Sequence, residues 1–575
     1  MAESKIERII PAVAWLRTYR IGEFPGDLTA GIITAILLVP QAMAYSILAG
    51  LPPEVGLYAS IVPPILYAFF GSSRALAVGP VAVASLMVAS ALGSLALPGS
   101  ADYIVAALVL SALIGVFLLI MGIAKLGFLA NFLSHPVMSG FTSAAAIVIA
   151  FSQLKHLLGL DIPRGARIDE AVLYIFQHIP EANTTTVSIS VASLLLLFGL
   201  RQYLGPLLIK LGLSEGIANT LVKAGPMLVV VMMTVLSANM LWNETSGLAV
   251  VGSIPAGLPP LTVPSFDIAL WRELAVSAAL IALVSFVESV AIARVLASKR
   301  RQKIDVNQEL VGLGVANIGA AFSGGSPVCG GFSRSVVNFA AGANTQLAAI
   351  ITAFLIALSV LFFTPLFYYL PQSVLAAIII IAVLGLVDFK ALKVNWRYSK
   401  SDAAAWVVTF IVVMAEGIEL GIVAGVVISL ILFLWRSSKP HIAIVGRVGN
   451  TEHFRNIKRH SVRTCPHLLA IRVDESLFFA NTRYFENYVL SAVVDQPDVK
   501  HVVFICSAIN AIDGSALESL EQLISDLESA GVTFHLAEVK GPVMDRLERT
   551  DFLDHLKPGK VFLSTHDAFK ELECA

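Results

Sequence analysis

GSSRALAVGPVAVASL (residues 71–86) and SGGSPVCGGFSRSVVN (residues 323–338) are the two stretches on which the fold turns. Each opens on Gly, Ser and Pro and continues as a short apolar helix pattern. Each also follows an apolar run that carries one out-of-place polar group. The first run ends PQAMAYSILAG (40–50) and the second VESVAIARVLA (287–297). Setting Pro40 over Val287 puts Gln41 over Glu288 and Ala44 over Ala291. Glycine and proline also serve tight helix packing in membranes. The paired order, a polar residue in an apolar span and then a broken short helix, favours a binding site between two inverted repeats.

Composition agrees. The 575 residues are 57% hydrophobic and 14% charged, against about 45–50% and about 25% in soluble chains. A net charge of -1 gives no reason to expect a nucleic-acid partner. None of the four cysteines has a metal-ligand spacing, and no metal or cofactor is expected. No Walker A, HExxH or nucleophile-elbow pattern occurs, which argues against an enzyme. Residues 440–575 hold 33 of the 79 charges, so a membrane part precedes an ordinary soluble one.

Apolar runs long enough to span a bilayer lie at 28–50, 55–71, 101–123, 129–153, 186–204, 219–242, 272–297, 345–369, 371–388 and 402–436. The last holds two short spans meeting near Glu416 and Glu419, and broken runs lie at 79–92, 309–322 and 332–341. The count is 12 to 14 spans. IERIIPAVAWLRTYR (6–20) reads as an interfacial helix. With 14 spans, the basic clusters fall on one side: Lys5, Arg8, Arg17 and Arg20; Arg74; Lys125; Arg201, Lys210 and Lys223; Lys299 to Lys303; Lys390 to Lys400; Arg436 and Lys439. That side is the cytoplasm, so both termini are cytoplasmic in a cell (inner or plasma) membrane protein. Lys155, Arg164 and Arg167 in the loop 154–185 do not fit the pattern. After Pro440, strands at 468–473, 500–506 and 532–537 alternate with helices at 482–494 and 514–529, predicting a small α/β domain. The lead-in 440–464 is a linker or a first hairpin.

A half-helix N-terminus carries unpaired N–H groups and about +0.5 charge. Two of them facing each other form an anion site. Arg334 stands in the first turn of the second half-helix, where its charge opposes the dipole unless an anion lies there. Pairing with Glu288 is its competing structural role. An ionised group at mid-membrane is costly and functional by default. Gln41 and Tyr45 share one face of the first span and offer uncharged donors or simply pack. Cys329 reads as a small packing residue, and the eight histidines after residue 440 as surface or core groups.

PQAMAYSILAGLPPEVGLYASIVPPILYAFFGSSR (40–74) with VGPVA (78–82), FVESVAIAR (286–294) and FSRSVVN (332–338) resembles the SulP sulfate permease family. The C-terminal part resembles its STAS domain. The resemblance implies an α-helical membrane protein of 14 spans in two inverted seven-span repeats, with core and gate domains, plus a cytoplasmic α/β STAS domain. The divisions expected are an N-terminal segment 1–22, a transport domain 23–437 with repeats near 23–243 and 270–437, and STAS with its linker at 438–575. It further implies a homodimer and an anion site between spans 3 and 10. Gln41, Tyr45, Ala82, Phe332, Ser333 and Arg334 would line that site, with Glu288 in the position linked to cation coupling. Regulatory STAS proteins carry a phosphorylatable Ser or Thr after an Asp. Here Gly514 follows Asp513, and Ser515 is expected to cap the next helix. Dimerisation, trafficking or regulation is the expected role of the soluble part.

Two helix ends supply about +1 and Arg334 adds one more, which a sulfate dianion balances. At about 6 Å and an effective dielectric of about 20, one unit pair is worth about 2.8 kcal/mol. Bound sulfate therefore favours a proton on Glu288. Proton-coupled sulfate uptake by alternating access is the first expectation. Bicarbonate with ionised Glu288 and Na⁺, a dicarboxylate, or a passive channel or exchanger are the alternatives.

Overall fold

The computed structural model describes residue 7 and residues 9–131, 134–160, 168–212, 218, 221–222 and 224–572. Lys5, Arg8, Arg164, Arg167 and Lys223, used above for topology, lie outside the described residues. The chain divides into two compact units, Met1–Ser429 and Leu430–Ala575.

The first unit is helical. Its first half runs α1 (Phe24–Leu48), α2 (Pro53–Tyr58), α3 (Val62–Phe70), β1 (Val78–Gly79), α4 (Ala82–Gly93), α5 (Ala101–Ile123), α6 (His135–Ser152), α7 (Thr184–Gly199) and α8 (Gly225–Met240). Its second half runs α9 (Ile268–Lys299), α10 (Val306–Phe322), β2 (Cys329–Gly330), α11 (Phe332–Ala340), α12 (Leu347–Phe362), α13 (Gln372–Leu384), α14 (Phe389–Tyr398), α15 (Lys400–Glu416) and the start of α16 (Ile418–Ser437), within which the division between the units falls. Among the described residues, eight helices are long and apolar enough to cross a membrane. Three shorter apolar helices are α4, α8 and α12. The run 309–322 is not broken as expected: α10 is a continuous helix that starts earlier, capped by Asp305 through the Asn307 and Gln308 N–H groups. The 402–436 run divides at Gly417, where a φ of +93° ends α15. In the N-terminal stretch, Ala12–Thr18 is helical and buries Trp15, whose Nε1 donates to the Ala68 carbonyl at 3.4 Å.

Packing shows the repeat. Exchanging α1 with α9, α3 with α10 and α5 with α12 maps the α1–α12 contact onto α9–α5, and α10–α5 onto α3–α12. Exchanging α6 with α13 and α7 with α15 maps α6–α15 onto α13–α7. The pairs α3–α10, α6–α13 and β1–β2 map onto themselves, so they lie across the pseudo-twofold axis. Glycines set the closest approaches. A Cβ on Gly312 of α10 would sit 2.7 Å from Gly71 Cα, and one on Gly56 of α2 only 2.0 Å from the Ala42 carbonyl oxygen.

One buried carboxylate ties the two halves. Glu309, in the first turn of α10, accepts from Tyr67 Oη (2.6 Å), Ser72 Oγ (2.7 Å) and the N–H groups of Ser72 and Ser73 (both 2.8 Å). It thereby fixes the backbone that leaves α3. Asp27 in α1 does the same for the loop before α12, accepting from Thr345 Oγ1 (2.7 Å) and from the N–H groups of Asn344 (2.5 Å) and Thr345 (3.0 Å).

The second unit is a six-stranded sheet with helices on both faces. Its elements are β3 (Ile442–Arg447), β4 (Phe454–Asn456), β5 (Leu468–Val473), α17 (Thr482–Val494), β6 (His501–Ile505), α18 (Gly514–Ser529), β7 (Thr533–Ala537) and β8 (Val561–Phe562). The strand order is β4-β3-β5-β6-β7-β8, with β5 to β8 parallel. The lead-in is the hairpin, with Val445 opposite Asn456. Parallel strands buried on both faces explain the mostly apolar runs LLAIRV and HVVFI, in which Arg472 and His501 are only half-buried. Ser515 does not cap α18. Asp513 does, through Oδ1 to the Ala516 N–H (2.8 Å), while its Oδ2 accepts from the Phe479 N–H (3.0 Å). Ser515 is the second residue of the helix and exposed, because the helix starts at Gly514 and leaves Asp513, with extended dihedrals, in the N-cap position.

In the middle of β7 His535 is buried. Its Nδ1 accepts the Lys560 N–H (3.1 Å) and its Nε2 lies 3.2 Å from His501 Nδ1. Burial, with the charges of His501 and Lys560, pushes His535 down to about 4, against about 6.5 unfolded.

Two outcomes follow from this packing. Glu309→Ala orphans buried donors, at about 1–3 kcal/mol each. It should lower the thermal midpoint of the detergent-purified protein well below that of Glu309→Gln, which keeps one acceptor oxygen; equal midpoints would refute this. For His535, the unfolded chain binds a proton between about pH 6.5 and about pH 4 that the folded chain does not. Its stabilisation is thus present above pH 6.5 and lost as pH falls towards 4. Hydrogen exchange in the full-length protein should show weaker protection of β6 and β7 at pH 5 than at pH 7, and His535→Gln should flatten that difference.

Candidate functional site

The broken stretches cross each other as a two-residue antiparallel ladder, Val78 opposite Gly330 and Gly79 opposite Cys329. Backbone that is neither helix nor closed sheet survives at membrane depth only if protein groups satisfy it. Here side chains do so from both halves. On the first stretch, Gln346 Nε2 donates to the carbonyls of Ser73 (2.6 Å) and Leu76 (3.0 Å), and Asn338 Nδ2 to that of Ala75 (3.1 Å). The Ala77 N–H donates to Ser335 Oγ at 2.9 Å. On the second, Asn317 takes both backbone groups of Val328, each at 2.9 Å. The Gly330 N–H donates to Ser289 Oγ at 2.8 Å.

Each strand feeds directly into a half-helix. Val81 is the N-cap of α4 and Gly331 that of α11, and neither helix has a side-chain cap. Their first-turn N–H groups thus lack intrahelical acceptors. Because the strands run antiparallel, the two N-termini meet at the crossing and the helices leave in opposite senses. A cavity of about 60 Å³ opens there. Gln41 and Tyr45 of α1, Ala82 of α4, Glu288 of α9, and Phe332, Ser333 and Arg334 of α11 all line it. Ala382 and Val383 of α13, with Leu386, form part of its wall.

Arg334 is 2% exposed. Its Nη1 donates to the Pro80 carbonyl (2.7 Å) and its Nη2 to the Cys329 carbonyl (3.5 Å), so the guanidinium bridges the two strands. Its Nε has no hydrogen-bond partner among the described residues. The pairing with Glu288 considered above is absent: no carboxylate among the described residues lies within 4.0 Å of it. Two glycines make room for the group. A Cβ on Gly331 would meet Nη2 at 2.8 Å, and one on Gly79 would meet Nη1 at 3.2 Å. A buried cation without a counter-charge is costly, and the free helix ends beside it carry charge of the same sign. The arrangement is suited to holding an anion. The residues that support it, Glu309, Asn317, Ser289, Ser335, Asn338 and Gln346, were not legible as site residues. Their one signal is polarity inside otherwise apolar runs.

Residues 24–409 match the Sulfate permease family and residues 459–568 the STAS domain. The Arabidopsis thaliana proteins called "Probable sulfate transporter 4.2" and "Sulfate transporter 4.1, chloroplastic" are 37% and 38% identical over 576 residues, each alignment covering 98% of this chain and 83% and 82% of the relatives. The structure of murine Solute Carrier 26 family member A9, an anion transporter in the inward-facing state, shares the fold with a TM-score of 0.89 at 24% identity, over 100% of this chain and 96% of that one. On its sequence and its membrane fold with a C-terminal STAS domain, the chain belongs to the sulfate permease family.

Proposed function

We propose that this protein is a secondary active transporter that carries sulfate together with a proton on Glu288. The observation that supports it is Arg334, a buried cation with no carboxylate partner, set beside two uncapped helix N-termini in a cavity that also holds Glu288. The helix ends and Arg334 sum to about +2. A sulfate dianion balances that only while Glu288 is neutral, so anion and proton enter together. The names of the Arabidopsis relatives point to the same substrate.

Alternating access fits the walls of the cavity. Gln41, Glu288 and the half-helices come from the elements packed around the crossing. Ala382 and Val383 come from α13, which packs with α6 and α7. Sliding the first group against the second would open the site to one side and then the other. The basic loops place both termini in the cytoplasm in this reading, and the working form is a homodimer.

Uptake of radiolabelled sulfate into proteoliposomes tests the coupling. An inward proton gradient should accelerate uptake about tenfold in the unaltered protein and leave Glu288→Gln indifferent to it. Persistence of the full proton dependence in Glu288→Gln would sink the coupling role. Varying Na⁺ at fixed pH, with bicarbonate as competitor, separates the sodium-coupled alternative, which predicts Na⁺ dependence and strong competition. Gly331→Ala, which crowds the Arg334 guanidinium, should raise the sulfate KM by about tenfold or more, a cost of about 1.4 kcal/mol. An unchanged KM would mean that Arg334 does not hold the anion.

A further inference from the structure

The connection between α13 and α15 does more than join two spans. Leu384 ends one span and Lys400 begins the next, and the ten-residue helix α14 is all that separates them, apart from Gly385–Asp388 and Ser399. At about 15 Å long, α14 is too short to cross a bilayer by itself and joins two longer helices, α13 and α15. No residue of it is fully buried. It packs on α6 and α15, with the Phe389 ring 5.7 Å from that of Trp406.

Its outward surface is sorted by chemistry. Lys390, Lys393 and Arg397, at i, i+3 and i+7, form one stripe. All three are exposed and none has an ion-pair or hydrogen-bond partner among the described residues. Between Asp388 and Asp402 there is no acidic residue, and Asp388 is occupied in capping the helix through the Ala391 N–H (3.0 Å). Beside the basic stripe stand large exposed rings, Phe389 and Trp396, and Tyr398 at the helix end is 90% exposed. A basic stripe beside aromatic rings is the pattern of a helix lying in the headgroup layer.

We propose that α14 is a docking surface for anionic phospholipid headgroups, with Lys390, Lys393 and Arg397 on the phosphates and Trp396 at acyl-chain depth. Charge selects the occupant. Three uncompensated cations favour an anionic over a zwitterionic bilayer by about fivefold each in binding. Because α14 is joined to α15 by the single extended residue Ser399 and packs on α6, the lipid composition would act on α6, which packs against the α13 wall of the cavity.

Quenching of Trp396 tests this without relying on transport. The full-length protein is reconstituted into vesicles containing brominated phosphatidylglycerol or brominated phosphatidylcholine. The Trp396 share of the quenching is taken as the difference from Trp396→Phe. Brominated phosphatidylglycerol should quench that share several-fold more at equal mole fraction, and 0.5 M salt should weaken the preference. Lys390→Gln/Lys393→Gln/Arg397→Gln should abolish it, and Lys390→Arg/Lys393→Arg should keep it. If the triple variant does not reconstitute, Lys393→Gln alone should lower the preference by about fivefold. Equal quenching by both lipids, no Trp396 share at all, or a preference untouched by removing the charges would each overturn the proposal.

Discussion

Everything in the membrane unit depends on one constraint: backbone N–H and C=O groups cannot be left unpaired where there is no water. The chain breaks its helices twice at depth, at 71–81 and 323–331, and must answer for every exposed backbone group there. The answer is reciprocal. Glu309, Asn338, Gln346 and Ser335 of the second half pair the backbone of the first stretch, and Ala77 of the first accepts the Gly331 N–H. The first stretch is paired by side chains of the second half, while the second is paired by its own half through Asn317 and Ser289 and by the Ala77 carbonyl of the first. The crossing is therefore a product of the assembled domain, and the direction in which α4 and α11 aim their free N–H groups is inherited from it.

The same bonds account for where Arg334 can be. Its guanidinium is held on the Pro80 and Cys329 carbonyls, one from each strand, so its charge is registered to the crossing rather than to its own helix. Glycine at 79 and 331 keeps that space open. Glu288 lines the same cavity from α9 and makes no ion pair with the arginine within 4.0 Å.

Legibility divided along physical lines. Features carried by local pattern were readable: the Gly/Ser/Pro breaks, the division near residue 417, and the strands at 468–473, 501–505 and 533–537, where burial of parallel strands on both faces favours mostly apolar runs. Features created by distant partners were not. Glu309 reads as an ordinary polar residue near a helix start until Tyr67, 242 positions away, is brought to it. Ser515 was expected as a cap because its residue type suits one, but the turn geometry places Asp513 at the N-cap. The seven candidate residues were marked by a family resemblance, and Gln41, Tyr45, Glu288 and Arg334 also by their polarity in apolar surroundings. What spacing alone could not supply was that α1, α4, α9 and α11 would present them to one cavity.

Aligned on their N-caps, the half-helices set Ala84 against Arg334, just as Gln41 stands against Glu288. The backbone keeps its pseudo-twofold symmetry, yet both ionic side chains belong to the second copy. The ladder of Val78, Gly79, Cys329 and Gly330 takes one strand from each copy, so the two copies share the backbone of the crossing equally while one copy alone supplies the ionic side chains of the cavity.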